Sequence, residues 1–208
     1  MVLIMAIGDD IKTVLQELGT PITIHKPDGT VIPGEFIDYD MYFEQSTEFI
    51  RQNCYSGDFA FDTQADFGDV LDVDGIFMMV MNAKATKFEQ ESVITNCFLI
   101  EMNCLGKFQR QTETRVNMER QVTWVDTVIN ARGLQIDGSK TSFAELTEEV
   151  DVLAERDTLY LPQYANIRIG DRWLPDQTNP NEYYRVATMV SRAYKNCYKI
   201  ALTQDNRE

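Results

Sequence analysis

Four carboxylates, Asp66, Asp69, Asp72 and Asp74, fall within nine positions and run into Gly75. Oxygen ligands at that density could hold a hard divalent cation. The register of a calcium loop nonetheless fails. With Asp72 and Asp74 as its third and fifth positions, the first and twelfth are Val70 and Met81, where carboxylates are required. Two readings of the cluster stay open. It is a set of solvated turn residues, or its charges face something outside the domain, such as a cation shared across a subunit interface or a sliding polyanion. A small carboxylate-metal hydrolase would need these groups to converge with a cation in one pocket.

Other chemistry has little material. The chain has one histidine, His25, in an alternating stretch beside a Pro-Asp-Gly turn, so acid–base catalysis and histidine ligation have almost nothing to draw on. No nucleophile elbow, Walker loop or dinucleotide fingerprint occurs. Cys54, Cys97, Cys104 and Cys197 lack the close paired spacing of zinc sites and read as reduced, mostly buried thiols. Tyr39, Tyr42, Phe43, Tyr183 and Tyr184 sit at strand positions, where aromatics serve core or interface more readily than base stacking. No cofactor is expected.

Charge narrows the partners. Residues 1–104 carry 5 basic and 18 acidic side chains, whereas residues 105–208 carry 14 and 15, so almost all of the net −14 lies in the front half. Gripping nucleic acid depends on neutralising phosphates, which this half cannot do. It could line a path along which DNA slides without sticking.

The elements that must position these residues form a repeat. Gly68-Asp69, an apolar run and Asn96-Cys97-Phe98 are echoed by Gly170-Asp171, an apolar run and Asn196-Cys197-Tyr198, with Gly to Cys spanning 29 and 27 positions. Ala65 to Leu71 aligns with Ile167 to Trp173, and Ile76 to Val80 with Tyr183 to Ala187. Matched spacing marks a duplicated unit. Gly68 and Gly170 are expected to let the backbone turn sharply, with Asp69 and Asp171 accepting local backbone hydrogen bonds.

Around the repeat, Ile11, Val14, Leu15 and Leu18 predict a helix over 9–18, ended by Gly19. The apolar run Val2 to Ile7 is too short to span a bilayer and reads as a strand or arm packing on its own domain or a neighbour. Lys26 to Thr30 is a turn, and Asp72 to Gly75 is the tip of a hairpin. Ser142 and Glu145 form a capping box that predicts a second helix over 143–155. Short strands follow at 158–161, 166–169, 173–174, 183–190 and 195–202, with a polar loop over 175–181. Trp173, Pro175, Asn179 and Tyr183 are candidates for an interface. The fold class is mainly β with a few short helices, built as two small antiparallel β-barrel or sandwich domains related by internal duplication. Residues 1–104 form the acidic first domain, 105–121 the polar connection and 122–208 the second domain with one helix.

The phrase from Gly68-Asp69-Val70-Leu71 through Asp74-Gly75 to Val80, repeated from Gly170-Asp171-Arg172-Trp173 through Tyr183-Tyr184-Arg185-Val186, resembles the head-closure or stopper connectors of tailed bacteriophages. The resemblance covers roughly residues 57–103 and 160–204. It implies a small barrel assembled as a ring beneath the portal, a virion neck component that joins capsid to tail and helps retain packaged DNA. It implies no catalytic residues, no membrane, and assembly in the host cytoplasm. The chain departs from the family in its doubled length and two copies, so six subunits could present twelve barrels. Asp66, Asp69, Asp72 and Asp74 would then face the DNA channel. A tail or baseplate adaptor built from the same barrels, a metal hydrolase and a ligand-binding barrel are the competing expectations.

Overall fold

Ile4, Ile7, Ile11, Leu15 and Leu18 recur at 3-4-4-3 spacing with no breaker before Gly19, and the chain obeys that period from its second residue. The computed structural model describes residues 2–41, 53–116, 119–136, 157–164, 166–176, 183–192 and 195–207. Its helix α1 runs Val2–Leu18. The segment 2–7, expected as a strand or arm, is therefore the start of this helix. Leu15 is buried, the Gly19 N–H donates to the Leu15 carbonyl at 2.8 Å, and a Cβ at Gly8 would meet the Phe61 ring at 3.0 Å. That close approach seats α1 on the first barrel. Among the described residues α1 is the one helix, and none is long and apolar enough to cross a membrane. The helix expected over 143–155 lies outside the described residues.

Two compact units divide the chain at Met102/Asn103. In the first, β1 (Thr20–His25), β2 (Val31–Met41), β3 (Cys54–Ala60), β4 (Val70–Val73), β5 (Ile76–Phe88) and β6 (Glu91–Glu101) close a barrel in the order β1-β2-β3-β6-β5-β4. In the second, β7 (Cys104–Val116), β8 (Glu119–Ile136), β9 (Asp157–Pro162), β10 (Arg172–Pro175), β11 (Tyr184–Val190) and β12 (Cys197–Gln204) close in the order β7-β8-β9-β12-β11-β10. All pairs are antiparallel, and the two orders are the same. Each of the second six strands takes the place of the one six earlier.

Registers make the equivalence residue by residue. Ile24 faces Leu71 as Phe108 faces Trp173, and Ile37 faces Phe59 one step from where Leu134 faces Tyr160. An extra residue bulges β5 between Val80 and Asn82, and β11 between Val186 and Thr188. A second bulge places Gly34 (φ +84°) in β2 and Asn130 (φ +55°) in β8, the residue types that accept left-handed backbone most readily. Following the pairs from Val80 and Val186 through β6 and β12 matches Leu99 with Leu202 and Cys97 with Ile200. The Asn-Cys echo is thus out of register by three residues, and Val80 corresponds to Val186 rather than Ala187. Leu99 lies 19 positions after its partner Val80 and Leu202 only 16 after Val186, so the shorter β11–β12 hairpin makes the three-residue shift, which a fixed-spacing alignment cannot represent.

Two further expectations change. Of the expected connection 105–121, residues 105–116 lie in β7 and 119–121 in the start of β8, two strands paired as a long antiparallel hairpin. Beyond the Gln109–Asp126 pair, neither strand pairs with a third among the described residues, so both faces meet water and no period-2 apolar pattern marks it. Residues 166–169 are a turn, because Asn166 (φ +72°) and Gly170 (φ +93°) bend the chain.

The cores fill equivalent space with different donors. The first packs Ile22, Ile24, Ile37, Phe59, Leu71, Val80 and Leu99; the second packs Phe108, Leu159, Leu161, Trp173, Val186 and Leu202. In the first barrel a Cβ on Gly57 would meet Ile37 Cδ1 at 2.5 Å; in the second a Cβ on Gly133 would meet Leu159 Cδ1 at 2.9 Å. Gly57 and Leu159 are equivalent, as are Ile37 and Gly133. One barrel fills this space from β2 and the other from β9. Likewise a Cβ on Gly106 would meet the Trp173 ring at 2.6 Å, and the equivalent pair in the first barrel is Ile22 and Leu71. Each time, the large side chain occupies the space its glycine neighbour leaves, as close packing demands.

Candidate functional site

The most elaborate polar construction in either barrel is the Gly-Asp corner, and it is built twice. Gly68 (φ +82°) donates its N–H to Val80 O at 2.8 Å, and Val80 N–H returns to Asp69 O at 2.9 Å. Gly170 (φ +93°) and Val186 exchange the same bonds with Asp171, each at 2.9 Å. Asp69 Oδ2 accepts from Asp66 N–H at 2.7 Å and from Lys26 Nζ at 2.6 Å; Asp171 Oδ2 accepts from Arg168 N–H at 2.8 Å and from Arg110 Nη2 at 2.8 Å. Lys26 Nζ also donates to Gln64 O at 2.5 Å, and Arg110 Nη2 to Asn166 O. The two cations occupy equivalent ends of β1 and the middle of β7. Glycine supplies the left-handed turn that an L side chain would strain, and the carboxylate gathers the backbone donors that the turn exposes.

Burial sets the electrostatics. Asp69 is 2% exposed, and this burial raises its carboxyl above the ordinary range, against the opposing pull of Lys26 and the Asp66 N–H. Asp69 therefore cannot line an exposed acidic path, which corrects its place in the proposed set. Asp66 and Asp74 are exposed and Asp72 is half-buried. Asp66 Oδ1 accepts from the Phe67 N–H, and Asp72 Oδ1 from the Gly75 N–H at 3.0 Å at the tip of the β4–β5 hairpin. The four carboxylates are spread along a corner and a strand. Among the described residues, no three His, Cys, Asp or Glu side chains are placed to share a metal ion.

The interface candidates separate in the same way. Trp173, at 1% exposure, is a core residue whose ring meets Phe108 at 4.8 Å between centroids and whose Nε1 donates to Gln135 Oε1 at 3.1 Å. Its strand position alternates inward, so it is not available to a partner. Pro175 ends β10 opposite Gly106 and is half-buried; Asn179 lies outside the described residues. Tyr183 is half-buried under the guanidinium of Arg172, 4.6 Å from its ring centroid.

That guanidinium is the centre of a cluster the sequence did not reveal. Arg172 pairs with Gln109, which pairs with Asp126, so Arg172 points out of the barrel, yet it is only 5% exposed. Trp124 of β8 covers it at 3.6 Å from its ring centroid; Arg172 Nε donates to Asp205 Oδ2 at 2.9 Å and its Nη2 to Arg207 O. Arg207 donates from Nε to Asp205 Oδ1 at 2.7 Å and from Nη2 to Gly170 O at 3.0 Å. Burial alone would raise the Asp205 carboxyl, but the hydrogen bonds from Arg207 and Arg172 outweigh it and bring it down to about 2. The Trp124 Nε1–H is buried with no acceptor among the described residues, a cost of about 1–3 kcal/mol for an amide-like donor. The indole is placed for its face, which attracts the cation. In the first barrel Val70 stands where Arg172 does.

The thiols offer no nucleophile. Burial pushes Cys97 and Cys104 up to about 12, and Cys104 Sγ donates to Gly133 O at 3.1 Å. His25 lies tilted against the Phe77 ring, 6.4 Å between centroids. A cleft of about 280 Å³ under α1 is lined by Lys12, Gln16, Glu35, Asp62 and Gln64. Its charges are satisfied internally: Lys12 Nζ donates to Asp62 at 2.5 Å, and Glu35 accepts from Thr63 Oγ1 and Gln64 N–H. Large exposed apolar side chains stand on α1, where Leu18 is 83% and Val14 52% exposed, and on the hairpins. Phe88 near the β5–β6 tip is 50% exposed, and Val122, Val125 and Ile129 of β8 are exposed along the second hairpin, Ile129 by 66%.

No protein-family model matches the chain, and no curated protein matches it. Among solved structures, K. pneumonia MrkH in its apo state aligns at 10% identity over 98% of this chain and 84% of that chain, with a TM-score of 0.22. A likeness that weak carries no argument about fold or function.

Proposed function

We propose that this chain is a structural component of a tailed-bacteriophage neck, joining the portal to the tail as a homo-oligomeric ring and helping to retain packaged DNA. The observation that carries the reading is tandem repetition: two closed barrels of one strand order, each braced by the same Gly-Asp corner, with buried carboxylates committed to ion pairs. A chain whose polar invention goes into bracing suits a load-bearing role. The long hairpins supply reach, and their exposed Phe88, Val122, Val125 and Ile129 supply apolar contact for a neighbouring subunit or the portal. Exposed Asp66 and Asp74, with Asp72, would repel DNA passing through rather than hold it.

The test is the mass in solution, by light scattering after size exclusion, with and without the cognate portal ring. A discrete ring that forms on the portal is the expected result. A chain that ignores both portal and tail proteins overturns the reading, and one that binds tail proteins alone moves it to a tail or baseplate adaptor.

A further inference from the structure

We infer that Arg172, Asp205 and Arg207 form a clasp that fixes the free part of the β7–β8 hairpin against the second barrel, with Trp124 as its point of attachment. The hairpin leaves the barrel at the Gln109–Asp126 pair and continues as seven pairs, from Arg110–Val125 to Val116–Glu119, with no third strand among the described residues. A two-stranded ribbon of this kind does not hold its own orientation in water. Trp124 sits two pairs beyond the point of departure and lies on the outer face with Asp126 and Gln109, the face from which Arg172 emerges.

The contacts converge from separate parts of the unit. Arg172 comes from β10, and Tyr183, which its guanidinium also meets, lies at the start of β11. Asp205 and Arg207 follow β12, and Asp205 N–H donates to Tyr183 O at 2.8 Å. Arg207 reaches the carbonyl of Gly170, in the corner itself, and its guanidinium lies 5.1 Å from the Trp124 ring centroid. Asp205 Oδ1 accepts from Arg207 and Oδ2 from both arginines, so a single carboxylate aligns two cations on one indole. The first barrel carries Val70 at the position of Arg172, so the device belongs to the second copy alone.

Hydrogen–deuterium exchange on the full chain tests this. In Asp205→Asn, which keeps the shape and removes the charge, amides of 110–116 and 119–125 are expected to exchange about tenfold faster, while those of β9 and β12 stay within about twofold. Trp124→Leu, which leaves the arginine–aspartate pairs in place, is expected to loosen the same amides and covers the case in which Asp205→Asn does not fold. Unchanged ribbon exchange in a folded variant overturns the clasp. So does an equal rise in β9 and β12, since Asp205 would then stabilise the barrel as a whole.

Discussion

Each corner carboxylate serves a turn, a strand end and a cation from a distant strand, so its removal leaves a turn N–H and a half-buried cation without their acceptor. Asp69→Ala and Asp171→Ala are expected to cost about 1–3 kcal/mol in their own unit, read as the urea midpoint, because the Asp66 or Arg168 N–H and the partner Lys26 or Arg110 lose that carboxylate. Nothing lies within 4 Å of a Cβ built on Gly170, so Gly170→Ala costs only its left-handed strain, about 1–2 kcal/mol, and Gly170→Asn less. Asp205 gives a pH signature. Its folded value of about 2 lies below that of an unfolded carboxylate, so its contribution is present above the unfolded value and lost as pH falls towards the folded one. The difference in ribbon-amide exchange between the wild type and Asp205→Asn should therefore narrow as pH falls from 4 to 2. Asp69, raised by burial, acts in the opposite sense, and its own term weakens as pH rises through the carboxylate range. The glycine and aspartate of each corner were legible from sequence because few residue types suit such a turn. Their cations were not, since Lys26 lies 43 positions from Asp69 and Arg110 lies 61 from Asp171, and no local pattern links them.

Among strands, packing couples positions that look independent in the chain. Gly57→Leu alone overfills the first core and is expected to destabilise it by about 3 kcal/mol or more; adding Ile37→Gly reproduces the arrangement of Leu159 over Gly133 and should recover about 1–3 kcal/mol as a coupling term in a double-mutant cycle. Strand positions with a buried side were readable from alternation, and the Asp72–Gly75 hairpin from its turn residues. The β7–β8 hairpin was not, because strands wet on both faces lose the signal that burial writes into sequence. The Asn-Cys echo misled for another reason: Cys97 and Cys197 are both buried, but the β11–β12 hairpin is three residues shorter than the β5–β6 hairpin, so the two cysteines stand three places apart in register. Trp173, expected at an interface, and its neighbour Arg172 are separated by one step of the pleat. The aromatic faces in, while the arginine faces out and is buried by what folds over it.

At the scale of the molecule, two cores without shared members predict two cooperative transitions. Residues 2–102 and 103–207, produced separately, should each unfold as a unit in urea, with the second half losing stability on Asp171→Ala and the first untouched. The proposed ring would then be assembled from parts that are stable before they meet. The exchange of donors between Ile37 with Gly57 and Gly133 with Leu159 has a further bearing, on history. If both barrels descend from one ancestor, its descendants reached opposite solutions, and no single substitution joins them: changing the large residue first leaves a hole, and changing the glycine first makes a collision. Either intermediate is poorer than both ends. The two copies are therefore locked apart, and a crossover within the gene that joined β2 of one copy to β3 of the other would inherit either two glycines or two large side chains at that spot. Such recombinants would be purged, which keeps the halves of this chain from being homogenised into one another.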